Sequence, residues 1–167
     1  MIIVCYSLPI CAQISIGKTS ITNDSVLLEF GTDPKGILLP WVTNTSAVTG
    51  AVPGTMIFDI SDKKVKYFRG GASSTWVDLS IDTSGVVDTS LQNSLTEVSS
   101  AKVIMGANSS SAPGILVLES SNKAMVLPKV ASPHLNIINP SPGMIAYDTA
   151  KKQLAVFNGS VWSFWKY

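Results

Sequence analysis

One histidine, His134, and eleven acidic residues are the material this 167-residue chain offers for acid–base or metal chemistry. Both cysteines, Cys5 and Cys11, sit in the first dozen positions. Zinc takes three or four protein ligands, and a nucleophilic triad needs a histidine in a defined context. His134 stands beside Pro133 in a loop-like stretch, and no Gly-x-Ser-x-Gly elbow surrounds any serine. Two pairs of carboxylates recur along the chain, Glu29 with Glu119 and Asp59 with Asp148. Paired acids at the right separation hydrolyse glycosides. Here each acid has a plainer use. The glutamates close apolar runs, and the aspartates open turns, where a carboxylate accepts from backbone N–H groups two residues on. The oxygen-donor spacing of an EF-hand is absent. These residues therefore argue against an enzyme, and no cofactor or metal is expected.

The aromatic side chains carry more information. Trp41, Trp76, Trp162 and Trp165, with Tyr67 and Tyr147, are many large rings for a small protein. Trp76 and Trp162 occupy one place in a repeating pattern, which predicts a packing role for both. Trp41, Trp165 and His134 have no like partner in that pattern. They are the candidate ligand or interface residues, with a sugar ring or another protein as the expected ligand.

The elements that would position them come in duplicate. Leu38-Leu39-Pro40, Pro53-Gly54-Thr55-Met56-Ile57-Phe58-Asp59, Val65-Lys66-Tyr67-Phe68 and Trp76 follow one another in the first half. Val126-Leu127-Pro128, Pro142-Gly143-Met144-Ile145-Ala146-Tyr147-Asp148, Leu154-Ala155-Val156-Phe157 and Trp162 repeat the series in the second. Such self-similarity takes precedence over local readings of fold. Each copy predicts a Pro-Gly type II turn, a hairpin, and a third aromatic strand after a glycine-bearing turn. The stretches 43–52 and 131–141 between Leu-Pro and Pro-Gly suggest a short helical turn. Upstream, Ile14-Ser15-Ile16-Gly17 and Val103-Ile104-Met105-Gly106 open the two copies. The fold class is thus all-β: two tandem small β-meander modules, residues 14–80 and 103–167, joined by a polar linker over 81–102. Leu91, Leu95 and Val98 in that linker fall at helical spacing behind Thr89 and Gln92, so a short helix competes with plain coil there.

Twelve basic against eleven acidic residues give no field for steering nucleic acid. A low charged fraction, 14%, in a chain rich in Ser and Thr suits an extracellular β protein. The apolar, uncharged run over residues 1–13 is too short to span a bilayer, which takes about 20 residues. It resembles the core of a signal peptide, with Ala12 ahead of a cut near Gln13, although a basic start is missing. A buried first strand is the competing reading. Lipidation of Cys11 is disfavoured by Ile10, where a small residue belongs.

With these motifs laid out, the chain resembles a repeat common in secreted surface proteins of Bacteroidota and short motifs of phage tail-fibre proteins. Tyr147, Asp148, Leu154, Phe157, Asn158, Gly159 and Trp162 carry the likeness in the second copy. Phe58, Asp59, Val65, Phe68, Gly70 and Trp76 carry it more loosely in the first. The resemblance implies a non-enzymatic structural or adhesin-like protein, secreted or at the cell surface, and no site residues are carried over from it. Modules this small bury limited cores, which predicts a homo-oligomer, a trimer among the expected states, or a complex with other surface proteins. A carbohydrate-binding module using exposed tryptophans is the alternative.

Overall fold

The computed structural model describes residues 13–71, 75–90, 92–98 and 100–166. The proposed leader, both cysteines and Leu91 lie outside them, apart from Gln13. The described residues are nearly all β, with fourteen short strands and one short α-helix.

Each copy opens with a parallel pair. Strand β1 (Ile14–Ile16) lies beside β2 (Val26–Phe30), and β8 (Val103–Met105) beside β9 (Leu116–Leu118). Each copy then forms the expected meander. In the first, β5 (Met56–Asp59), β6 (Lys64–Phe68) and β7 (Trp76–Asp78) run antiparallel in sequence order. In the second, β12 (Met144–Asp148), β13 (Gln153–Phe157) and β14 (Trp162–Trp165) do the same. A two-residue strand follows each Leu-Pro: β4 (Trp41–Val42) pairs parallel with β5, and β11 (Lys129–Val130) with β12.

Each turn has a local cause. The backbone N–H of Thr55 donates to Val52 and that of Met144 to Ser141, while Gly54 and Gly143 take φ of 89° and 83°. These are the two Pro-Gly turns, and a positive φ at the third position is what glycine supplies. The stretch 131–141 carries α1 (Pro133–Asn136), and 43–52 carries a 3-10 turn at Thr45–Ala47 capped by Asn44. In the linker the described residues form turns, with Gln92 N–H bonded to the Thr89 carbonyl, and no helix.

The two copies do not keep their strands to themselves. From the first copy, β3 (Ile37–Leu38) pairs antiparallel with β12 of the second. From the second copy, β10 (Ala124–Val126) pairs parallel with β2 of the first. The sheets therefore read β1-β2-β10, β4-β5-β6-β7, β8-β9, and a five-stranded sheet in which β3 joins β11-β12-β13-β14. The main core lies between the copies: Leu39, Phe58 and Val65 from one meet Ile145 and Val156 from the other. A second, smaller core lies under α1, where Ile137 and Val130 cover Ala146.

The two Pro-Gly glycines separate turn strain from this packing. A methyl at Gly54 meets open space, whereas one at Gly143 would lie 2.7 Å from Phe58 Cβ in the other copy. Gly54→Ala should cost only the left-handed backbone penalty, about 1–2 kcal/mol. Gly143→Ala should cost at least about 1 kcal/mol more through overpacking, read as a lower urea midpoint at unchanged slope.

Candidate functional site

The recurring acids are spent on backbone and neighbouring side chains. Asp148, fully buried, accepts from the N–H groups of Ser132 (3.0 Å), Ala150 (2.9 Å) and Lys151 (3.3 Å), and from Gln153 Nε2 (3.1 Å). Burial pushes its carboxyl up, but the donors led by Ser132 and Lys151 outweigh that and hold it below the ordinary range. Asp59 does the same work in the first copy, accepting from Ser61 N–H (2.9 Å) and Ser61 Oγ (2.6 Å) with Lys66 Nζ at 3.3 Å. Its carboxyl is likewise lowered, with burial opposing and the Ser61 bonds prevailing. Each aspartate ties the end of one strand to the turn that follows.

Glu29, 2% exposed, accepts from Thr22 Oγ1 (2.5 Å) and Thr22 N–H (2.7 Å), with Lys18 Nζ 3.0 Å away. The Thr22 hydroxyl and Lys18 bring its carboxyl down to about 2, against a small opposing effect of burial. Glu119 in the second copy accepts from the Ser110 hydroxyl. In both copies the glutamate fastens the loop between the two parallel strands. Among the described residues no group of three His, Cys, Asp or Glu side chains could hold a metal ion.

The outer faces of the two meanders differ in kind. In the first, Lys66 sits against Asp62 (2.5 Å), Asp59 (3.3 Å) and Asp78 (3.6 Å), and Lys64 reaches Asp78 at 2.6 Å. Burial lowers the Lys66 ammonium, but Asp62 first and then Asp59 and Asp78 hold it above its ordinary value. The same register positions in the second copy hold Ala155 and Phe164, in place of Lys66 and Asp78. There the face is apolar and the stretch with α1 folds over it.

The residues without a repeat partner fall in three places. Trp41 packs against the main core, tilted on Phe58, and its Nε1–H donates to the Pro142 carbonyl of the other copy at 2.6 Å. Trp165 is 44% exposed, with its Nε1–H on the Leu79 carbonyl of the first copy at 2.6 Å. His134 is exposed on α1, edge-on to Phe164 at 5.6 Å. The structure does not gather the three into one pocket. It makes both tryptophans bonds between copies. Trp76 and Trp162, expected inside the core, are half-buried: each stands at the start of the last strand and covers a phenylalanine, Phe68 or Phe157.

The linker adds contacts that sequence reading missed. Ile81 N–H donates to Ser163 Oγ (3.0 Å), Asn158 Nδ2 donates to the Asp82 carbonyl (2.9 Å), and Gly85 lies against the Asn158 carbonyl so closely that a methyl there would overlap it. Residues 81–85 are thus a strap laid along the second meander. Gly85 was the one local signal for that approach.

The geometry defines a class: a β protein whose feature is a contact between repeated modules that exchange strands. Residues 104–166, the second copy almost end to end, match a protein family described as a phage tail like trimerisation region. The second copy is thus similar to tail-fibre-type modules that assemble in threes. No curated protein and no solved structure matches the chain. No helix among the described residues is long and apolar enough to cross a membrane.

Two measurements follow from the buried acids. Glu29 keeps its charge in the folded chain down to about pH 2, while the unfolded chain protonates it at its ordinary 4.5. The stability it lends is present above pH 4.5 and is lost as the pH falls from there towards 2. Glu29→Gln should flatten the pH dependence of the urea midpoint in that window. Asp148→Ala leaves three backbone N–H groups without their acceptor and should destabilise the fold by about 2–3 kcal/mol, measured by equilibrium unfolding at neutral pH.

Proposed function

We propose that this protein is a non-enzymatic structural component of a fibre- or adhesin-like assembly, secreted or displayed at the cell surface, which works by joining copies of itself into a trimer. The observation that carries this reading is the match of the second copy to a trimerisation region, on a fold whose main core is shared between modules. The acids that could have served catalysis are engaged in holding turns and loops, which supports a structural role. A glycan platform needs exposed ring faces. Trp41 is half-buried with its N–H bonded and does not favour that second reading, while Trp165, 44% exposed, is the ring on which glycan binding by the wild type against Trp165→Ala would test it. Secretion rests on the apolar leader and the composition, and is tested by following the N-terminus of the exported chain.

The test of assembly is a mass. Light scattering on the size-exclusion peak at tens of micromolar should give three times the 17.7 kDa chain. A peak of single-chain mass across that range would overturn the reading.

A further inference from the structure

The duplicated sequence allows the two copies to be compared position by position, and two strand edges that are covered in one copy are bare in the other. Strand register aligns Thr55, Met56 and Phe58 with Met144, Ile145 and Tyr147. It also aligns Trp41 with Lys129, and hence Leu38 with Val126. On β12, Met144 and Ile145 carry β3 of the other copy, with Leu39 N–H on the Gly143 carbonyl. On β5, the matching residues Thr55 and Met56 have β6 on one side. On the other side β4 reaches only Phe58 and Asp59. Among the described residues no strand lies outside Met56. Phe58 N–H points outward to the Pro40 carbonyl, so the N–H and C=O of Met56, two residues earlier, face the same bare side.

The second edge tells the same story through burial. Strand β2 lies between β1 and β10, and its Val26, Leu27 and Leu28 are 4%, 2% and 1% exposed. Among the described residues the corresponding β9 has only β8 beside it, and Leu116 is 44% and the neighbouring Ile115 61% exposed. The strands that would fill these gaps each have one side free. Among the described residues β10 pairs only with β2, and β3 only with β12, with Leu38 50% exposed. An open acceptor and an open donor of matching type therefore stand at each end of the chain's pair of copies.

The geometry points to a head-to-tail contact in which a second copy of this chain completes both edges: its β10 pairs with Thr55–Met56, and its β9 receives β3. This rests on the self-association reading above and names the strands through which it occurs. The occupant is a second copy because the chain already contains this contact once, between its own modules. A contact between unlike surfaces either closes into a ring or propagates as a filament.

The test is a pair of cysteines at a position occupied only between chains. Leu38 pairs with Met144 next to the bonded Leu39–Gly143 pair, in the close-spaced type of site that suits a disulfide. The equivalent inter-chain pair is Val126 with Thr55. In a chain carrying Cys5→Ser and Cys11→Ser, Thr55→Cys with Val126→Cys should oxidise to covalent multimers on a non-reducing gel, and either single cysteine should not. Leu116→Lys places a charge on a bare edge and should reduce the assembly to single-chain mass with an unchanged far-ultraviolet circular dichroism spectrum. An assembly that survives Leu116→Lys and forms no inter-chain disulfide overturns this inference while the trimer reading stands. A disulfide closed within one chain also overturns it, since the edge is then filled from inside. A wild-type chain of single-chain mass removes the trimer reading itself.

Discussion

Every backbone group on a strand edge must find a partner or water, and every apolar face must find another face. In this chain neither need is met within one copy of the repeat. The inner face of the first meander presents Phe58 and Val65, and that of the second presents Ile145 and Val156; both are covered only when the two are laid together. A module of this size buries only a limited core of its own. Docking one copy on the other is therefore a condition of folding, and the exchange of β3 and β10 adds backbone bonds to that contact. The tryptophan N–H bonds to Pro142 and Leu79 add two more polar ties across the same contact, each between groups far apart in sequence.

The same requirement explains the use of acids. Short strands joined by tight turns leave many N–H groups pointing at a common spot, and a carboxylate satisfies several at once. Asp148 gathers three of them and Asp59 one with its hydroxyl. Glu29 does so for the loop over Thr22. Acids held this way carry depressed proton affinities, which in another setting would mark a catalytic group. Here each carboxylate is already bonded to the turn or loop beside it, which it holds as a staple.

Much of this was legible in the sequence because the repeat supplied its own control. Pro53-Gly54 and Pro142-Gly143 announced turns whose glycines do take positive φ, and the three meander strands of each copy follow from alternation between such turns. What the sequence hid was which copy each strand serves. Ile37-Leu38 and Met125-Val126 read alike, yet one lies antiparallel on β12 and the other parallel on β2. Alternation fixes the faces of a strand and says nothing of its neighbours. Trp41 and Trp165 stood out only as lacking partners. That was informative: a contact between two copies uses different residues on its two sides.

The divergence of the outer faces bears on how such a contact stays ordered. In the second copy, Ala146, Ala155 and Phe164 make an apolar face that 131–141 covers with Pro133 and Ile137. In the first, Lys66 with Asp59, Asp62 and Asp78 makes that face ionic, and the stretch 43–52 buries nothing in its 3-10 turn. A buried or half-buried ion cluster contributes little net stability, but an apolar cover laid on it would leave charges without water. The ionic face therefore excludes the lid that the apolar face requires. The two modules share a strand order but carry unlike outer faces, and each face comes with the cover, or the lack of one, that its own copy supplies. The shared core is likewise built from different residues on its two sides, Leu39, Phe58 and Val65 against Ile145 and Val156, so the pair of modules is polar both within and without.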